Sequence, residues 1–200
     1  MLAAAVNGDE KPKWQTLFGG KSLTGWKSIE KKDTDFEKHG KVFVKDGSMI
    51  LEAGKPSTGV RWVGAPLPKI DYELTLEGKR VAGDDFFCGL TFPVGDSGLT
   101  LILGGWSGWV VGLSCIDGLY ALNNETCQKV EFEQNRWYRV RVRVTKPKVE
   151  VWLDGKKIID LAKENHKFAV SEEMELCEEL GVATWRTTGA IRAVRIRVLP

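Results

Sequence analysis

The sequence predicts an all-β sandwich of two antiparallel sheets. Three observations carry that expectation. From Lys41 onward the apolar residues fall in short runs closed by turn residues. Several runs alternate strictly, as strands do when one face is buried and the other wet. Two Asp-Gly pairs, Asp46-Gly47 and Asp154-Gly155, sit between such runs, where a type I′ turn needs positive φ at both central positions.

Taken in order, Val42 to Leu51 reads as a hairpin around Asp46-Gly47. In the next run Tyr72, Leu74 and Leu76 alternate with Asp71, Glu73, Thr75 and Glu77. Phe86 to Phe92 and Leu99 to Leu113 are apolar on both parities and rich in glycine, which places them centrally with both faces covered. One face would meet the opposite sheet, and loops or a ligand would cover the other. Tyr138, Val140, Val142 and Val144 alternate with Arg139, Arg141 and Arg143, and Val149 to Ile159 forms a second hairpin around Asp154-Gly155. Leu161 to Leu180, with its acidic cluster, reads as a loop excursion between the last two strands holding one short amphipathic turn. The chain closes on Val194, Ile196 and Val198 set against Arg195 and Arg197.

Two hundred residues, 42% hydrophobic and 28% charged, fit one water-soluble core and contain no apolar run long enough to span a membrane. Residues 1–12 are expected to be disordered or the remnant of a secretory signal, because Ala3-Ala4-Ala5 followed by a polar run has the small-residue pattern of a cleavage region. The domain is then 13–200, and the chain is expected to be exported. Basic and acidic residues number 29 and 27, a net charge of +2 that gives no nucleic-acid footprint. The four cysteines show no CxxC spacing; two disulfides and buried free thiols are both compatible with them.

The stretch Trp14-Gln-Thr-Leu17-Phe18-Gly-Gly20-Lys21-Ser22-Leu23-Thr24-Gly25-Trp26 resembles the N-terminal signature of the 3-keto-disaccharide hydrolase domain family. The likeness continues in Phe43 to Gly47, Asp71 to Leu74, Arg136 to Val140, Val151 to Lys156 and Ile191 to Val198. It implies a concanavalin A-like jelly roll, related in shape to glucanases and found in exported bacterial proteins. It also implies action on glycosides oxidised at C3, whose ketone acidifies the C2–H so that a base can remove that proton and expel the glycosidic oxygen. The family's last-strand region often carries a Gln-Asp-His-like polar cluster, where this chain has Ala183-Thr184-Trp185-Arg186-Thr187-Thr188.

The residues suggest where such chemistry would sit. Asp71 and Glu73, at i and i+2 on one strand, would stand roughly 7 Å apart and are the candidate base; Glu77 would lie about 13 Å from Glu73. Their plainer reading is a solvated strand face paired with Arg139, Arg141 and Arg143 on a neighbour. The Glu-x-Asp-x-x-Glu array of glucanases is absent, and Gly105-Trp106-Ser107-Gly108-Trp109 lacks the last glycine of a nucleophile elbow.

Eight tryptophans mark the ligand side. Trp106 and Trp109, flanked by glycines, would let a flat sugar face approach and stack, or would cap the core. Trp62 with Arg61, and Trp185 with Arg186, pair a ring with a fork of donors. Trp14, Trp26, Trp137 and Trp152 are assigned to core or edge packing. The sequence establishes no cofactor; Asp84, Asp85 and Asp96 are the natural oxygen donors for a calcium or other divalent ion, and exposed turn acids are their plainer reading. The Asn124-Glu125-Thr126 sequon matters only in a eukaryotic secretory setting. A carbohydrate ligand is the expected partner; the alternatives to a hydrolase or lyase are a lectin-like module and a protein-interaction domain.

Overall fold

The computed structural model describes residues 13–200, so the expectation for residues 1–12 lies outside the described residues. In chain order the strands are β1 (Gln15–Phe18), β2 (Trp26–Ser28), β3 (Val42–Lys45), β4 (Ser48–Leu51) and β5 (Ser57–Trp62). Then come β6 (Tyr72–Ala82), β7 (Cys88–Val94), β8 (Ser97–Gly104), β9 (Val110–Ser114) and β10 (Gln128–Lys129). The last five are β11 (Trp137–Val144), β12 (Lys148–Leu153), β13 (Lys156–Ala162), β14 (Gly181–Trp185) and β15 (Thr188–Val198). They form two antiparallel sheets, the expected jelly-roll sandwich. The first runs β13-β12-β11-β6-β15-β4-β3, with β1 also paired to β15; the second runs β10-β9-β8-β7-β14-β5-β2.

Both Asp-Gly pairs turn hairpins as anticipated. Asp46 and Gly47 have φ of 49° and 73°, Asp154 and Gly155 of 49° and 84°, the left-handed values a type I′ turn demands. The core lies between the sheets, where Leu74, Leu76, Val140 and Val142 meet Leu90, Phe92, Leu101, Leu103, Val111 and Leu113. Each such side chain, once fully buried, contributes roughly 1.5–3 kcal/mol.

The acidic excursion does not separate the last two strands. It joins β13 to β14 and contains a 3-10 helix, Glu172–Cys177, that packs Met174 and Cys177 on the outer face of the second sheet. That face is lined with small residues so that the covering elements can approach: a Cβ at Gly89 would sit 3.1 Å from Phe86 Cε2 and 3.2 Å from Met174 Cε. The double-sided apolarity of β7 and β8 is thereby explained. All four cysteines are free thiols. Burial pushes the Cys88 and Cys177 thiols up to about 12, which leaves them unreactive near neutral pH.

Candidate functional site

The covering elements leave a cleft of about 400 Å³ open on the outer face of the second sheet. Ile102 and Ser114 form its floor. Trp106, Asp85 and Phe86 stand on one side, and Tyr120, Glu173, Met174 and Trp185 complete the wall. Trp106 meets Tyr120 edge to face at 6.3 Å between ring centroids, and Phe86 lies 6.2 Å from Trp185. The cleft is thus aromatic-walled with two carboxylates, the composition of a small-ligand site.

Trp106 is held by its backbone rather than by its ring. It sits in the turn Gly105–Gly108 with φ 48°, followed by Ser107 at 67°, conformations that non-glycine residues adopt only when their surroundings enforce them. Arg80 supplies one constraint. It shares parity with Leu74 and Leu76, so its side chain enters the end of the sandwich, where Nη2 donates to Gly108 O at 2.8 Å and Gly104 O at 3.4 Å. A Cβ at Gly104 would lie 2.3 Å from that nitrogen, and the φ of 77° there favours glycine as well. Asp85 supplies the other constraint, because its carboxylate accepts from Phe86 N at 2.7 Å and from the Trp106 and Ser107 backbone.

The opposite wall is tied by side chains. Tyr120 Oη donates to Glu173 Oε1 at 3.0 Å, while Glu173 Oε2 is buried without a hydrogen-bond partner among the described residues. Asn124 fixes the loop that carries Tyr120, donating to the carbonyls of Leu113, Leu119 and Tyr120 and accepting from Thr126 Oγ1 at 2.7 Å. Its amide therefore serves as a structural knot inside the sequon. Burial raises the Asp85 carboxyl above its ordinary 3.8, against the pull of the three backbone N–H groups. The bond to Glu173 raises Tyr120 above 10.0.

The profile of the 3-keto-alpha-glucoside-1,2-lyase-like domain matches residues 13–197. The chain belongs to that family. No curated protein matches it. Among solved structures it is similar to a carbohydrate-binding module, CBM66 from Bacillus subtilis, with TM-score 0.60 and 13% identity over 90% of this chain and 99% of that one. It is also similar to a β-1,3-glucanase from Mycobacterium marinum, with TM-score 0.55 and 9% identity over 89% and 93%. A third is domain 4 of AbnA, an extracellular arabinanase from Geobacillus stearothermophilus in complex with arabinotriose, with TM-score 0.53 and 14% identity over 94% of each chain. At these identities the likeness shows the sandwich fold shared by this carbohydrate-active family and those proteins.

Within the lyase-like domain the residues singled out in the sequence separate. Trp106 and Trp185 line the cleft together. Trp109 does not: it packs outside, with Lys129 Nζ 5.0 Å above its ring. Arg186, with φ 48°, is exposed and gives its backbone N–H to Pro56 O. Trp62 stacks edge-on against Trp26 at 5.6 Å and donates to Ala65 O, supporting the N-terminal signature, while Arg61 stands exposed beside Gly181 at the far end of β14 from Trp185.

Asp71 and Glu73 are not brought to the cleft. Glu73 lies on the outer face of the first sheet, with no exposure, and accepts from Arg141, Arg143 and Arg197. Burial alone would raise its pKa, but the bonds and charges of Arg143 and Arg197 prevail and hold it below 4.5. Glu77 pairs with Arg139 and Arg192 in the same way. Asp71 precedes β6 with φ 53° and accepts at its carbonyl from Leu199 N. Pairing with the β11 arginines, the plainer reading of this strand, is what the structure gives for Glu73 and Glu77, although Glu73 is buried rather than solvated and β15 supplies further partners.

No three His, Cys, Asp or Glu side chains gather into a metal site among the described residues. Asp96 is in the β7–β8 turn, whereas Asp85 lines the cleft. The two cleft carboxylates were missed in the sequence as a pair because 88 positions separate Asp85 from Glu173.

Proposed function

We propose that the domain takes a glycoside in this cleft, one sugar ring stacked beside Trp106 and Trp185, and that Glu173 and Asp85 act as base and acid on a 3-keto-glycoside. The observation that carries the reading is Glu173, a carboxylate with one oxygen fixed by Tyr120 and the other without a partner at an aromatic-walled cleft. Family membership supplies the substrate class.

In the reaction the Glu173 carboxylate, which lines the cleft, takes the C2 proton, next to the ketone. The C2–H electron pair forms the C1=C2 bond, and the C1–O bond breaks toward the leaving alcohol. Asp85, whose raised pKa favours its protonated form relative to an ordinary aspartate, delivers the proton to that oxygen. The hydroxyls of Ser114 and Ser171 are among the side-chain donors at the cleft wall that serve the enolate. Export, which an extracellular role would need, belongs to this same reading.

Incubation of the purified domain with 3-keto-sucrose or a 3-keto-glucoside, followed by chromatography, tests it. Release of the alcohol by the wild type and its loss in Glu173→Gln support the proposal. No release with substrate bound favours a second reading, a lectin-like module, for which one feature speaks directly: no His, Lys or Arg is among the residues lining the cleft.

A further inference from the structure

The sandwich has a second distinctive face. On the outer side of the first sheet, β6, β11 and β15 bring together Arg139, Arg141, Arg143, Arg192, Arg195 and Arg197. A bulge between Arg192 and Arg195, where Ala193 has φ 52°, adds one residue to β15, so Arg192 reaches the same face as Arg195 and Arg197 despite its opposite parity. Only Glu73 and Glu77 on these strands oppose the six guanidinium groups. With Lys79 over Trp137 on the same face, seven cations stand against two carboxylates, a surplus of five, whereas the whole chain carries +2, so the rest of the chain is net negative by three. The near-neutral total therefore conceals a segregated charge. On β12 and β13 the cations Lys148 and Lys157 are already matched by Glu150 and Asp160.

The tryptophans on this face were expected to pack in the core or at an edge; three of them instead stack under cations and remain part-exposed. Arg141 lies 3.7 Å from the Trp152 ring centroid, Arg192 4.0 Å from Trp137 and Arg197 4.6 Å from Trp14. Stacking and the shared carboxylates fix the guanidinium planes, so little side-chain freedom remains to be lost on binding. Arg139 is 74% exposed, and Arg195 is exposed with no carboxylate partner among the described residues. Guanidinium groups on alternate residues of a strand repeat about every 7 Å, and β11 and β15 lie about 10 Å apart across β6.

We infer that this face binds a linear anionic polysaccharide, with carboxylate or sulfate groups meeting the guanidinium forks and sugar faces lying against the tryptophan rings. The surplus charge selects an anion, the planar forks suit its oxygens, and the domain's carbohydrate-active family makes a glycan the partner of choice over other polyanions. The inference does not depend on the cleft, which lies on the other sheet.

Affinity electrophoresis of the intact domain through gels containing polygalacturonate, dextran sulfate, neutral dextran or duplex DNA tests it, with thermal unfolding recorded for each variant. Retardation by polygalacturonate or dextran sulfate, weakening with salt, is expected, and the stronger of the two identifies the anionic group. Neutral dextran should not retard it. The double variant Arg139→Gln, Arg195→Gln should bind about tenfold more weakly with an unfolding midpoint close to that of the wild type, while Glu173→Gln should bind as the wild type does. Absence of retardation by both anionic glycans, equal retardation of the double variant, or tighter retention by DNA than by either glycan would overturn the proposal.

Discussion

Glu73 and Glu173 show how the same side chain acquires opposite roles. Glu73 has its oxygens committed to three arginines, and Glu173 has one oxygen uncommitted. Replacing Glu173 by glutamine keeps an acceptor for Tyr120, so the unfolding free energy should change by less than about 0.5 kcal/mol. Turnover of a 3-keto-glycoside should fall by roughly a hundredfold or more, as single-turnover assays would record. The partner carboxyl makes its own prediction through pH. Asp85 delivers a proton only while protonated, and its pKa in the fold is raised above 3.8. The rate should therefore decline as pH rises through that higher value, and Asp85→Asn, which has no such proton, should lose this limb of the profile along with most of the rate. A wild-type profile without the limb would remove Asp85 from the acid role. In the sequence Asp85 stood out only as a cation donor and Glu173 only as one of an acidic cluster, since a contact 53 positions long, Tyr120 to Glu173, is what makes the latter distinctive.

Elements were far easier to read than sites, for a physical reason. Strand alternation and Asp-Gly turns are local, and each states its own geometry; β11, with Tyr138, Val140, Val142 and Val144 inside, is what its pattern announces. The same alternation shows that Glu73 and Arg141 share a wet face but not which sheet carries that face or what lies opposite. Trp106 and Trp185 were recognisable because glycine or arginine neighbours made them unusual, while Trp62 carried the same signal and proved to be packing for Trp26. At this scale the turn Gly105–Gly108 depends on Arg80, a residue that alternation alone would assign to the core. Arg80→Met should leave the Gly104 and Gly108 carbonyls without their donor and lower stability by about 1–3 kcal/mol. The Trp106 and Ser107 amides should then exchange faster with solvent in hydrogen-exchange measurements, and glycoside affinity should drop with them. Unaltered exchange at those two amides would mean that Asp85 alone holds the turn.

At the scale of the molecule, the two sheets divide their outer faces between a covered surface with a cleft and an open, charge-laced one. The consequence for stability follows from Glu73. Its pKa in the fold lies below 4.5, so its ion pairs contribute fully above the unfolded-state value and are lost as pH falls through the lower folded value. Acid should therefore destabilise the domain progressively below about pH 4.5. Glu73→Gln should mimic part of that loss at neutral pH, where three guanidinium groups would keep their mutual repulsion without the shared carboxylate. Their partial exposure, 26–34%, moderates the cost relative to a fully buried pair, to roughly 2–3 kcal/mol, or about 5–10 °C in unfolding temperature for a domain of this size. The wild type and the variant should converge as pH falls, because the proton and the substitution remove the same charge. Calorimetry between pH 3 and pH 7, about the range that brackets an ordinary glutamate, decides the matter: curves that remain parallel would show that acid unfolding is governed by other carboxylates, while convergence assigns the acid limit of this fold to the arginine cluster on the first sheet.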